Sequence, residues 1–414
     1  MKSAIFYDKV GRATSLRVSE GRTILEVLRD NGIPPNAVIT RVDGELKSEH
    51  AAGDCGPNAK VEFKQVRHYD LDVVRAPANK TFSIANPIYT KSVLFDVNGN
   101  TELRSEQYDA ETFVRYVEDV LVHVLNAYPM MKPGKTSAIG LSGGRDSVAF
   151  LKLLERTRAR VECGPMVAVT VTGLPDWEEP ATFGAAVKSC QGLGIEHVVV
   201  QADEVRRAFQ LRRSFVDIMG DVVASEDQAV VMVVTHHVMR RMVEVAAERF
   251  SARAVVLGLN CDDLLASVVT WLSSGWRMGP LPLRTVGNFE YQFPLFRLTK
   301  KELTLYLELV APELNRQGAP GRFTTGPGER SLAYATTDHL LEIWPGFDYY
   351  AFQAFESIQK QLTPKLEGQC QNCGAAYCEQ EGAKPTDGNC DVCQLLLRYD
   401  TSGPRLIVGL PTVW

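Results

Sequence analysis

The sequence predicts an α/β protein built on a parallel sheet, with a small α+β unit before it and a cysteine-rich segment after it. From residue 136 onward, apolar strand-like segments alternate with helical segments, a pattern typical of parallel sheets with helices on both faces. Residues 1–66 carry a separate pattern of two strands, a helix and more strands. Two C-x-x-C pairs lie near the end of the chain.

The composition, with 45% hydrophobic and 23% charged residues in 414, is that of a soluble globular protein. This length predicts two or three domains. The net charge of −5 gives no general attraction to nucleic acid, so any such binding needs a local basic patch. We expect a cytoplasmic protein without a membrane segment, because the start is too polar for a secretory signal and no apolar run approaches about 18 residues. Nine cysteines in that setting indicate metal binding or chemistry rather than disulfides.

Residues 1–70 are predicted to form a domain of their own. The predicted strands are SAIFYDK, SLRVS, AVITRVDGEL and KVEFKQV, and the predicted helix is EGRTILEVLRDNG, which Gly32 can close. This order resembles the ubiquitin-like β-grasp fold of the small sulfur carriers. Such carriers work through a free C-terminal Gly-Gly, but the only Gly-Gly of this chain is Gly143-Gly144, and after Val66 the chain continues through RHYDLDVVRAPANK. We therefore interpret the domain as a docking or scaffolding module.

The stretch TSAIGLSGGRDSVAF joins a predicted strand to a predicted helix through two adjacent glycines. A helix N-terminus leaves backbone N–H groups unpaired, and glycines let the backbone approach a ligand, so the junction is suited to phosphate. The serines add hydroxyl groups, and the arginine adds a planar cation that suits phosphate. Asp146 either caps the helix or holds a magnesium ion. The candidate cofactor-binding residues of this loop are Ser142, Gly143, Gly144, Arg145, Asp146 and Ser147.

Residues 142–147 match the SGGxDS signature, and the segment resembles the phosphate loop of the PP-loop ATP pyrophosphatases. Those enzymes cleave ATP between the α and β phosphates and pass AMP to a substrate oxygen. The resemblance implies a PP-loop domain over residues 71–365 that uses ATP and Mg²⁺. In such a sheet, ligands bind outside the carboxyl ends of the strands, so adenine is expected against the backbone near Thr170. On spacing alone, an ordinary strand-to-helix turn is the alternative interpretation.

A second constellation, GLNCDD, follows a later predicted strand. Its two adjacent carboxylates suit Mg²⁺ held between protein and phosphate, whereas an aspartate pair that caps the next helix is the alternative. The segment resembles the G-H-N-x-D-D segment of PP-loop thiolation enzymes, with Leu259 in place of the histidine. The candidate binding residues here are Gly258 and Asn260, and the candidate catalytic residues are Asp146, Asp262, Asp263 and Cys261.

The segment after residue 365 predicts a structural zinc site. Its cysteines follow the spacing C-x2-C, sixteen residues, C-x2-C, and four thiolates at such a spacing form a tetrahedral site. We predict a zinc ribbon over residues 366–414, with Cys378 as a bystander between the pairs. A closed four-thiolate site has no open coordination position, so we assign it to folding. The predicted zinc ligands are Cys370, Cys373, Cys390 and Cys393.

Taken together, these segments resemble the tRNA 2-thiouridine synthetases of the TtuA and cytoplasmic wobble-uridine type. The resemblance covers roughly residues 100–410. The segment FPLFRLTKKELTLYL resembles the family's K-P-L…E-K-E…Y-A stretch, in which Pro294, Leu295, Lys301, Glu302 and Tyr306 hold the matching places. The resemblance implies an ATP-dependent transferase that activates the uridine C2 oxygen and exchanges it for sulfur. The implied partners are ATP, tRNA and a sulfur-donor protein. Adenylation of a small molecule or peptide amide, and a non-catalytic nucleotide-binding regulator, are the alternatives.

The match fails at the family's sulfur-handling centre. Family members hold an iron–sulfur cluster with three cysteines, but the helical pair falls here on Met232 and Thr235, and RFTTGPGERS has no cysteine in the third place. We therefore predict no Fe–S cluster. Cys261 is either a low-pKa nucleophile or a buried, inert thiol. His236 and His237, beside the lost pair, are either catalytic or packing residues.

Basic residues cluster at Arg206, Arg207, Arg212, Arg213, Arg240 and Arg241. They either hold RNA phosphates or form solvated helix faces that pair with acidic residues. A homodimer is the oligomeric state that we consider.

Overall fold

The computed structural model describes residues 3–8, 11–19, 21–50, 58–66, 87–97, 100–174, 180–274, 281–315, 328–344, 346–362, 368–377 and 388–401. Within these residues the chain forms an N-terminal sheet, a six-stranded central sheet flanked by helices, and a small C-terminal cysteine-rich unit. Several sequence features fall outside the described residues: the segment after Val66, Cys378, most of RFTTGPGERS and the last residues of the chain.

The N-terminal unit, residues 3–66, consists of β1 (Ser3–Tyr7), β2 (Ala13–Ser15), α1 (Ile24–Asp30), β3 (Val38–Val42), β4 (Glu45–Leu46) and β5 (Lys60–Gln65). The strand order is β2-β1-β5-β3-β4, in which β1 and β5 are parallel and the other neighbours are antiparallel. Helix α1 packs Ile24, Val27 and Leu28 against Phe6 and Phe63 of the sheet, in a core separate from that of the central sheet.

Two details of this unit follow from its turns. Gly32, as predicted, ends α1 with a positive φ of 68°, which a residue without a side chain adopts at little cost. The second strand was expected over residues 15–19 but lies at Ala13–Ser15. The reason is a tight turn between Asp8 and Gly11, which sets Tyr7 opposite Ala13 and starts the pairing early.

An antiparallel hairpin and a long helix connect this unit to the central sheet: β6 (Tyr89–Val97), β7 (Asn100–Tyr108) and α2 (Ala110–Ala127). Asp109 caps α2, and its side chain accepts a hydrogen bond from the Thr112 N–H. The sequence did not indicate this hairpin, because its alternation of polar and apolar residues is weak.

The central part contains β8 (Ser137–Gly140), α3 (Arg145–Thr157), β9 (Met166–Val171), α4 (Pro180–Leu193), β10 (Glu196–Val200), α5 (Ala202–Ala208), α6 (Phe215–Ser225), α7 (Gln228–Arg249), β11 (Ala254–Leu257), α8 (Cys261–Ser274), β12 (Leu283–Val286), β13 (Phe289–Gln292) and α9 (Lys300–Val310). The four strands predicted for this region are confirmed as β8, β9, β10 and β11, and all neighbours among them are parallel. Apolar runs such as Met166–Val171 form these strands because helices cover both faces of the sheet.

The strand order β10-β9-β8-β11-β13-β12 identifies the functional edge of this sheet. From β8 the chain moves outward through β9 and β10, then returns to place β11 on the other side of β8. The loops after β8 and β11 therefore leave the sheet side by side at a switch point, where open α/β sheets bind ligands. Strand β12, which the sequence did not indicate, closes the far edge antiparallel to β13.

The remaining elements are α10 (Gly328–Ile343), α11 (Phe347–Leu362), β14 (Gly368–Gln369), β15 (Ala376–Tyr377) and α12 (Asp391–Tyr399). Helix α10 packs on α8 through Ala266, Ala333 and Tyr334. Among the helices of the described residues, none combines the length and the apolar character needed to cross a bilayer.

Helix α9 attaches the N-terminal unit to the central part through buried charges. The Lys301 ammonium donates to the Glu49 carboxylate at 2.7 Å and to the Pro35 carbonyl at 3.1 Å. The two charged side chains are only 7% and 4% exposed. Two turns further along α9, Glu308 accepts from both Arg41 and Lys64. The N-terminal unit is thus fixed to α9 by ion pairs at its β3 and β5 side.

We expect Glu49→Gln to lower the free energy of unfolding by about 3–5 kcal/mol, because it leaves the buried Lys301 ammonium without its counter-charge. The double variant Glu49→Gln/Lys301→Met should recover most of this loss, since it removes both charges. Urea denaturation followed by circular dichroism measures both. Glu111→Gln is the control: its pair with Arg115 is exposed, so its effect should stay within about 0.5 kcal/mol. An equally small effect of Glu49→Gln would contradict the prediction.

Candidate functional site

The loop after β8 forms the predicted junction of strand and helix. Gly143 has a positive φ of 73°, which favours glycine. The Ser142 hydroxyl oxygen accepts from the Gly144 N–H at 3.2 Å, and the Ser147 hydroxyl donates to the Gly144 carbonyl at 2.9 Å. No side chain caps α3 at Gly144, so Asp146 is not the helix cap. The N–H groups of its first turn are therefore suited to an oxyanion.

The Asp146 carboxylate points to the neighbouring strand end. Its Oδ2 atom accepts from the Lys300 ammonium and, at 3.2 Å, from the Asn260 amide. Its Oδ1 atom is buried and has no hydrogen-bond partner among the described residues. A buried carboxylate oxygen rarely lacks a partner, and this one fits the hard oxygen ligand that Mg²⁺ prefers.

The loop after β11 places the aspartate pair beside this carboxylate. Asp262 is 1% exposed and accepts from the backbone N–H of Lys300. Asp263 accepts from the Tyr334 hydroxyl at 2.6 Å. The Asn260 side chain accepts from the Asp263 N–H at 3.0 Å, so Asn260 caps α8.

Charge near Asp263 keeps that carboxylate ionised. Burial opposes its ionisation, but Lys300, the Tyr334 hydroxyl and Arg330 outweigh burial and lower the pKa of Asp263. We use the name switch-point site for five of these residues, which lie at the ends of β8 and β11 and at the start of α9: Asp146, Asn260, Asp262, Asp263 and Lys300.

Sequence reasoning missed Lys300 in this site. In the pattern E-K-E used in the sequence analysis, Lys301 and Glu302 hold the last two places, and Lys300 departs from the first. The pattern therefore pointed to Lys301 and Glu302, which bind Glu49 and Lys91 outside the site. In the sequence, the only sign of Lys300 is a lysine where the pattern has a glutamate at the start of the helix. Its partner Asp146 is 154 residues away in sequence.

The structure defines the contacts of three predicted binding residues, and one of them, Arg145, differs from its prediction. The Arg145 guanidinium does not face the loop; it is buried and donates to the Val66 carbonyl at 3.2 Å, so its expected role as a phosphate cation is wrong for the side chain. The Thr170 hydroxyl donates to the Leu141 carbonyl and contacts His197, which leaves only its backbone for a ligand. Gly258 passes so close to α3 that a Cβ would lie 3.4 Å from the Ser147 Cα.

Cys261 is the first residue of α8 and is fully buried. Burial, reinforced by the nearby Asp348 and Asp262 carboxylates, raises the pKa of this thiol well above its usual value. These surroundings favour the alternative of a buried, inert cysteine over that of a low-pKa nucleophile.

On the other side of Asp263, helices α7 and α10 bring a second group of polar residues together. Arg330 donates to the Tyr334 hydroxyl at 3.1 Å and lies 3.5 Å from the Met232 sulfur. The Thr235 hydroxyl donates within its own helix to the Val231 carbonyl. His236 is exposed and lies near the Arg330 cation.

The four predicted zinc ligands form a metal-binding group in which all sulfur atoms lie within 4.8 Å of one another: Cys370, Cys373, Cys390 and Cys393. A tetrahedron of thiolates about 2.3 Å from zinc has edges of about 3.8 Å, close to the 4.0 Å between Cys373 and Cys390. A four-sulfur tetrahedral site suits zinc or iron. The residues present thus fit a metal ion.

Helix α7 supports this metal group from outside. The His237 Nε2 atom lies 3.7 Å from the Cys373 sulfur and 3.6 Å from the Cys390 sulfur. Arg241, one turn later, donates to the Cys373 carbonyl at 2.6 Å. Such outer contacts orient metal ligands, so His237 is a positioning residue of the metal site.

Comparison with known proteins agrees with this geometry. No protein-family model matches the chain. The tRNA 2-thiolation protein NcsA of Haloferax volcanii is 24% identical over 279 residues, which cover 63% of this chain and 82% of that protein. The structure of the U34-tRNA thiolase NcsA of Methanococcus maripaludis, solved with its [4Fe-4S] cluster, covers 71% of this chain and 90% of its own, with 21% identity and a TM-score of 0.52. The chain thus shares the fold of this thiolase and is similar in sequence to the tRNA 2-thiolation protein. A probable sulfurtransferase of Methanocaldococcus jannaschii is 30% identical over 93 residues, 21% of this chain and 27% of that protein.

We predict that Cys261 resists alkylation. Because the thiolate is the reactive form and burial disfavours it, iodoacetamide at pH 7.5 should modify half-buried Cys163 first and Cys261 last. Peptide mass spectrometry after timed quenching measures both rates, and urea-unfolded protein, in which the two should react alike, is the control. Early modification of Cys261 in the folded protein would contradict this prediction.

We also predict that one metal ion per chain depends on the four cysteines and is tuned by His237. Cys373→Ser and Cys390→Ser should lose the ion, whereas His237→Ala should retain it with about 10–100-fold lower affinity. Elemental analysis and competition with a chromogenic chelator measure these effects. His236→Ala is the matched control, since its neighbouring ring is exposed and makes no contact with the sulfurs among the described residues. Equal affinity loss in the two variants would contradict a positioning role for His237.

Proposed function

We propose that the protein is an ATP-dependent transferase that adenylates a carbonyl oxygen, with the uridine C2 oxygen of tRNA as the substrate and sulfur as the atom that replaces it. The observation that carries this proposal is the switch-point site, in which Asp146, Lys300 and the Asp262–Asp263 pair meet beside an uncapped helix N-terminus. The similarity to the tRNA 2-thiolation protein of Haloferax volcanii supports the same chemistry.

In this mechanism, each residue of the site has a role that its contacts define. The N–H groups at the start of α3 bind the phosphates of ATP. Mg²⁺, bound to the free Oδ1 of Asp146, would screen phosphate charge. Asn260 and Asp146 orient the Lys300 ammonium, which faces the negative charge that develops as the substrate oxygen attacks the α phosphate. Pyrophosphate leaves, and the substrate carbon then carries an AMP group that a nucleophile can displace.

We propose further that residues 1–70 form a β-grasp domain, 71–365 the PP-loop domain and 366–414 a zinc ribbon. The strand order β2-β1-β5-β3-β4 around one helix supports the first assignment. Four converging thiolates beside the β14–β15 hairpin support the third, with zinc as the metal. The buried Glu49–Lys301 pair supports a scaffolding role for the N-terminal unit rather than one as a mobile carrier.

An Fe–S cluster has no fitting ligands at the expected place on α7. The Met232 thioether contacts the Arg330 cation, and the Thr235 hydroxyl is occupied within the helix. A cluster needs converging thiolates, and neither of these two side chains supplies one. That the protein contains no cluster stays a prediction, and we route no step of the mechanism through one.

A small molecule or peptide amide is the second candidate substrate, and one observation favours it. Most of the arginines considered for RNA phosphates are held in ion pairs with neighbouring acids. Arg206 and Arg207 pair with Asp203, and Arg213 pairs with Asp221. Arg240 and Arg241 pair with Glu244. These contacts support the interpretation of solvated helix faces at those positions.

The test of the proposed function is release of AMP and pyrophosphate that depends on added tRNA. We expect Lys300→Gln to lower kcat/KM by about 10²–10³-fold, because it removes a preorganised cation from the transition state. Asp146→Ala should abolish turnover and leave the metal content unchanged, since the cysteine group lies elsewhere. Mass spectrometry of tRNA nucleosides from cells with and without the gene identifies the product.

Lys152→Gln is the control for Lys300→Gln, because Lys152 lies on α3 but pairs with Glu155 at the surface. It should leave kcat/KM unchanged. Release of ADP instead of AMP, or full activity of Lys300→Gln, would rule out the proposed mechanism. AMP release that depends on a small amide and not on tRNA would establish the second candidate.

A further inference from the structure

A cavity of about 220 Å³ lies at the edge of the central sheet opposite the switch-point site. It is lined at the amino ends of three adjacent strands, where Ser137 begins β8, Ala254 lies at the start of β11 and Phe289 begins β13. The phosphate loop leaves the other end of β8, on the order of 15 Å away at the rise of an extended strand. The cavity is therefore separate from the residues to which we assign the adenylation chemistry.

A tight turn places two exposed lysines in the lining of this cavity. In Lys132-Pro133-Gly134-Lys135, Gly134 has a positive φ of 77°, and the Lys135 N–H donates to the Lys132 carbonyl at 3.3 Å. Proline followed by glycine favours such a turn, which brings its first and last residues together. Gly164 packs so closely against the turn that a Cβ there would collide with the Lys132 and Lys135 carbonyl oxygens. The fold thus fixes the backbone that carries both lysines.

Three cations and one carboxylate line the cavity among the described residues: Lys132, Lys135, Arg253 and Glu290. None of the three cationic side chains has a hydrogen bond or an ion pair with another described residue. The Glu290 carboxylate accepts from the Gln292 amide at 2.7 Å. The charged side chains of the lining thus carry a net charge of +2. Such a cavity attracts anions, and its cations are available to donate to one.

The Ser137 hydroxyl indicates that the cavity accommodates a polar ligand. Ser137 lines the cavity and is 1% exposed, and its hydroxyl oxygen has no hydrogen-bond partner among the described residues. Its backbone N–H is already occupied by the Pro165 carbonyl at 2.9 Å. A buried hydroxyl without a partner costs free energy that an alanine would avoid. A ligand oxygen that accepts from Ser137 removes this cost.

We propose that this cavity binds a phosphate dianion, which is either inorganic phosphate or the phosphate group of a small monoester. Lysine binds phosphate as a point charge, arginine binds it in a bidentate manner, and the net charge of the lining balances the two negative charges of a dianion. The cavity is smaller than the roughly 300–1,000 Å³ of sites for drug-sized ligands, so a small ligand fits it best. In a monoester, a hydroxyl group of the carbon skeleton would donate to Glu290. The proposal uses no residue of the switch-point site and does not depend on the proposed function.

The experiment titrates the full chain with sodium phosphate or ribose 5-phosphate in a calorimeter at pH 7.5, with Mg²⁺ and α,β-methylene-ATP present to occupy the phosphate loop. Lys135→Gln/Arg253→Gln should raise the Kd of both probes by about 10-fold or more, because it removes two charged donors. Both side chains are exposed, so the variant should fold like the wild type, which circular dichroism checks. Lys152→Gln/Arg249→Gln is the matched control and should leave the Kd unchanged, since each of its side chains pairs with an acid outside the cavity.

Two further variants separate a phosphate site from general attraction to surface charge. Ser137→Ala should raise the Kd by about threefold or more yet unfold at the same temperature as the wild type or higher, because the hydroxyl has no protein partner to lose. Glu290→Gln should lower the Kd for inorganic phosphate by about threefold or more, because it removes the negative charge from the lining. Tighter binding of ribose 5-phosphate than of phosphate would identify a monoester as the ligand, and the reverse order would identify inorganic phosphate.

Lysine acetylation locates the bound anion in the wild-type protein. With sodium chloride added to keep the ionic strength constant, phosphate should slow the acetylation of Lys132 and Lys135 by acetic anhydride, as measured by peptide mass spectrometry. Lys152, which pairs with Glu155 on α3, should react at the same rate with and without phosphate.

Equal Kd values for the wild type and Lys135→Gln/Arg253→Gln would overturn the proposal. Acetylation of Lys132 and Lys135 at rates that do not respond to phosphate would overturn it as well, and so would weaker phosphate binding by Glu290→Gln. If the double variant loses affinity for tRNA while its Kd for phosphate stays that of the wild type, the two cations contact an RNA backbone and the proposed ligand is wrong.

Discussion

Three consecutive side chains in the first turn of α9 hold the structure together. Lys300 binds Asp146 of the phosphate loop, Lys301 binds Glu49 of the N-terminal unit, and Glu302 accepts from Tyr89, Lys91 and Tyr116. Successive residues of a helix are rotated by about 100°, so three neighbours face three different parts of the fold. Glu302 also completes the capping box with Thr299, which sets where the helix begins and hence the direction of all three.

Helix α7 lies between the switch-point site and the cysteine-rich unit, and its neighbouring residues face different parts of the fold. His236 is exposed near Arg330, whereas His237, the next residue, contacts two of the metal-site sulfurs. The cysteine-rich unit therefore packs on the side of α7 that carries His237, and another side of the same helix faces Arg330 and the switch-point site. A metal that stabilises this unit therefore also supports the contacts that His237 and Arg241 of α7 make with it.

Much of this organisation could be predicted from the sequence. The four strands of the central sheet and the positions of the two loops follow from apolar runs that end in polar residues, which are local signals. The cysteine spacing is equally local. The direction of Arg145 could not be predicted, because a motif position does not tell which neighbour a side chain meets, and its partner Val66 belongs to another unit. The role of Lys300 depends on Asp146, which lies 154 residues away in sequence, and the surroundings that raise the pKa of the Cys261 thiol exist only in the folded protein.

The ion pair between Glu49 and Lys301 has a consequence for how the chain matures on the ribosome. The two residues are 252 positions apart, and at about 5–20 residues per second this separation takes roughly 13–50 s to synthesise. The N-terminal unit has an apolar core of its own and can close during this interval, while the Glu49 carboxylate keeps the Thr40 hydroxyl as a donor at 2.7 Å. The finished unit then offers a surface on which α9 docks as it emerges. The N-terminal unit, which is synthesised first, thus provides the surface on which α9 is positioned. Helix α9 in turn carries Lys300, which binds Asp146 of the phosphate loop.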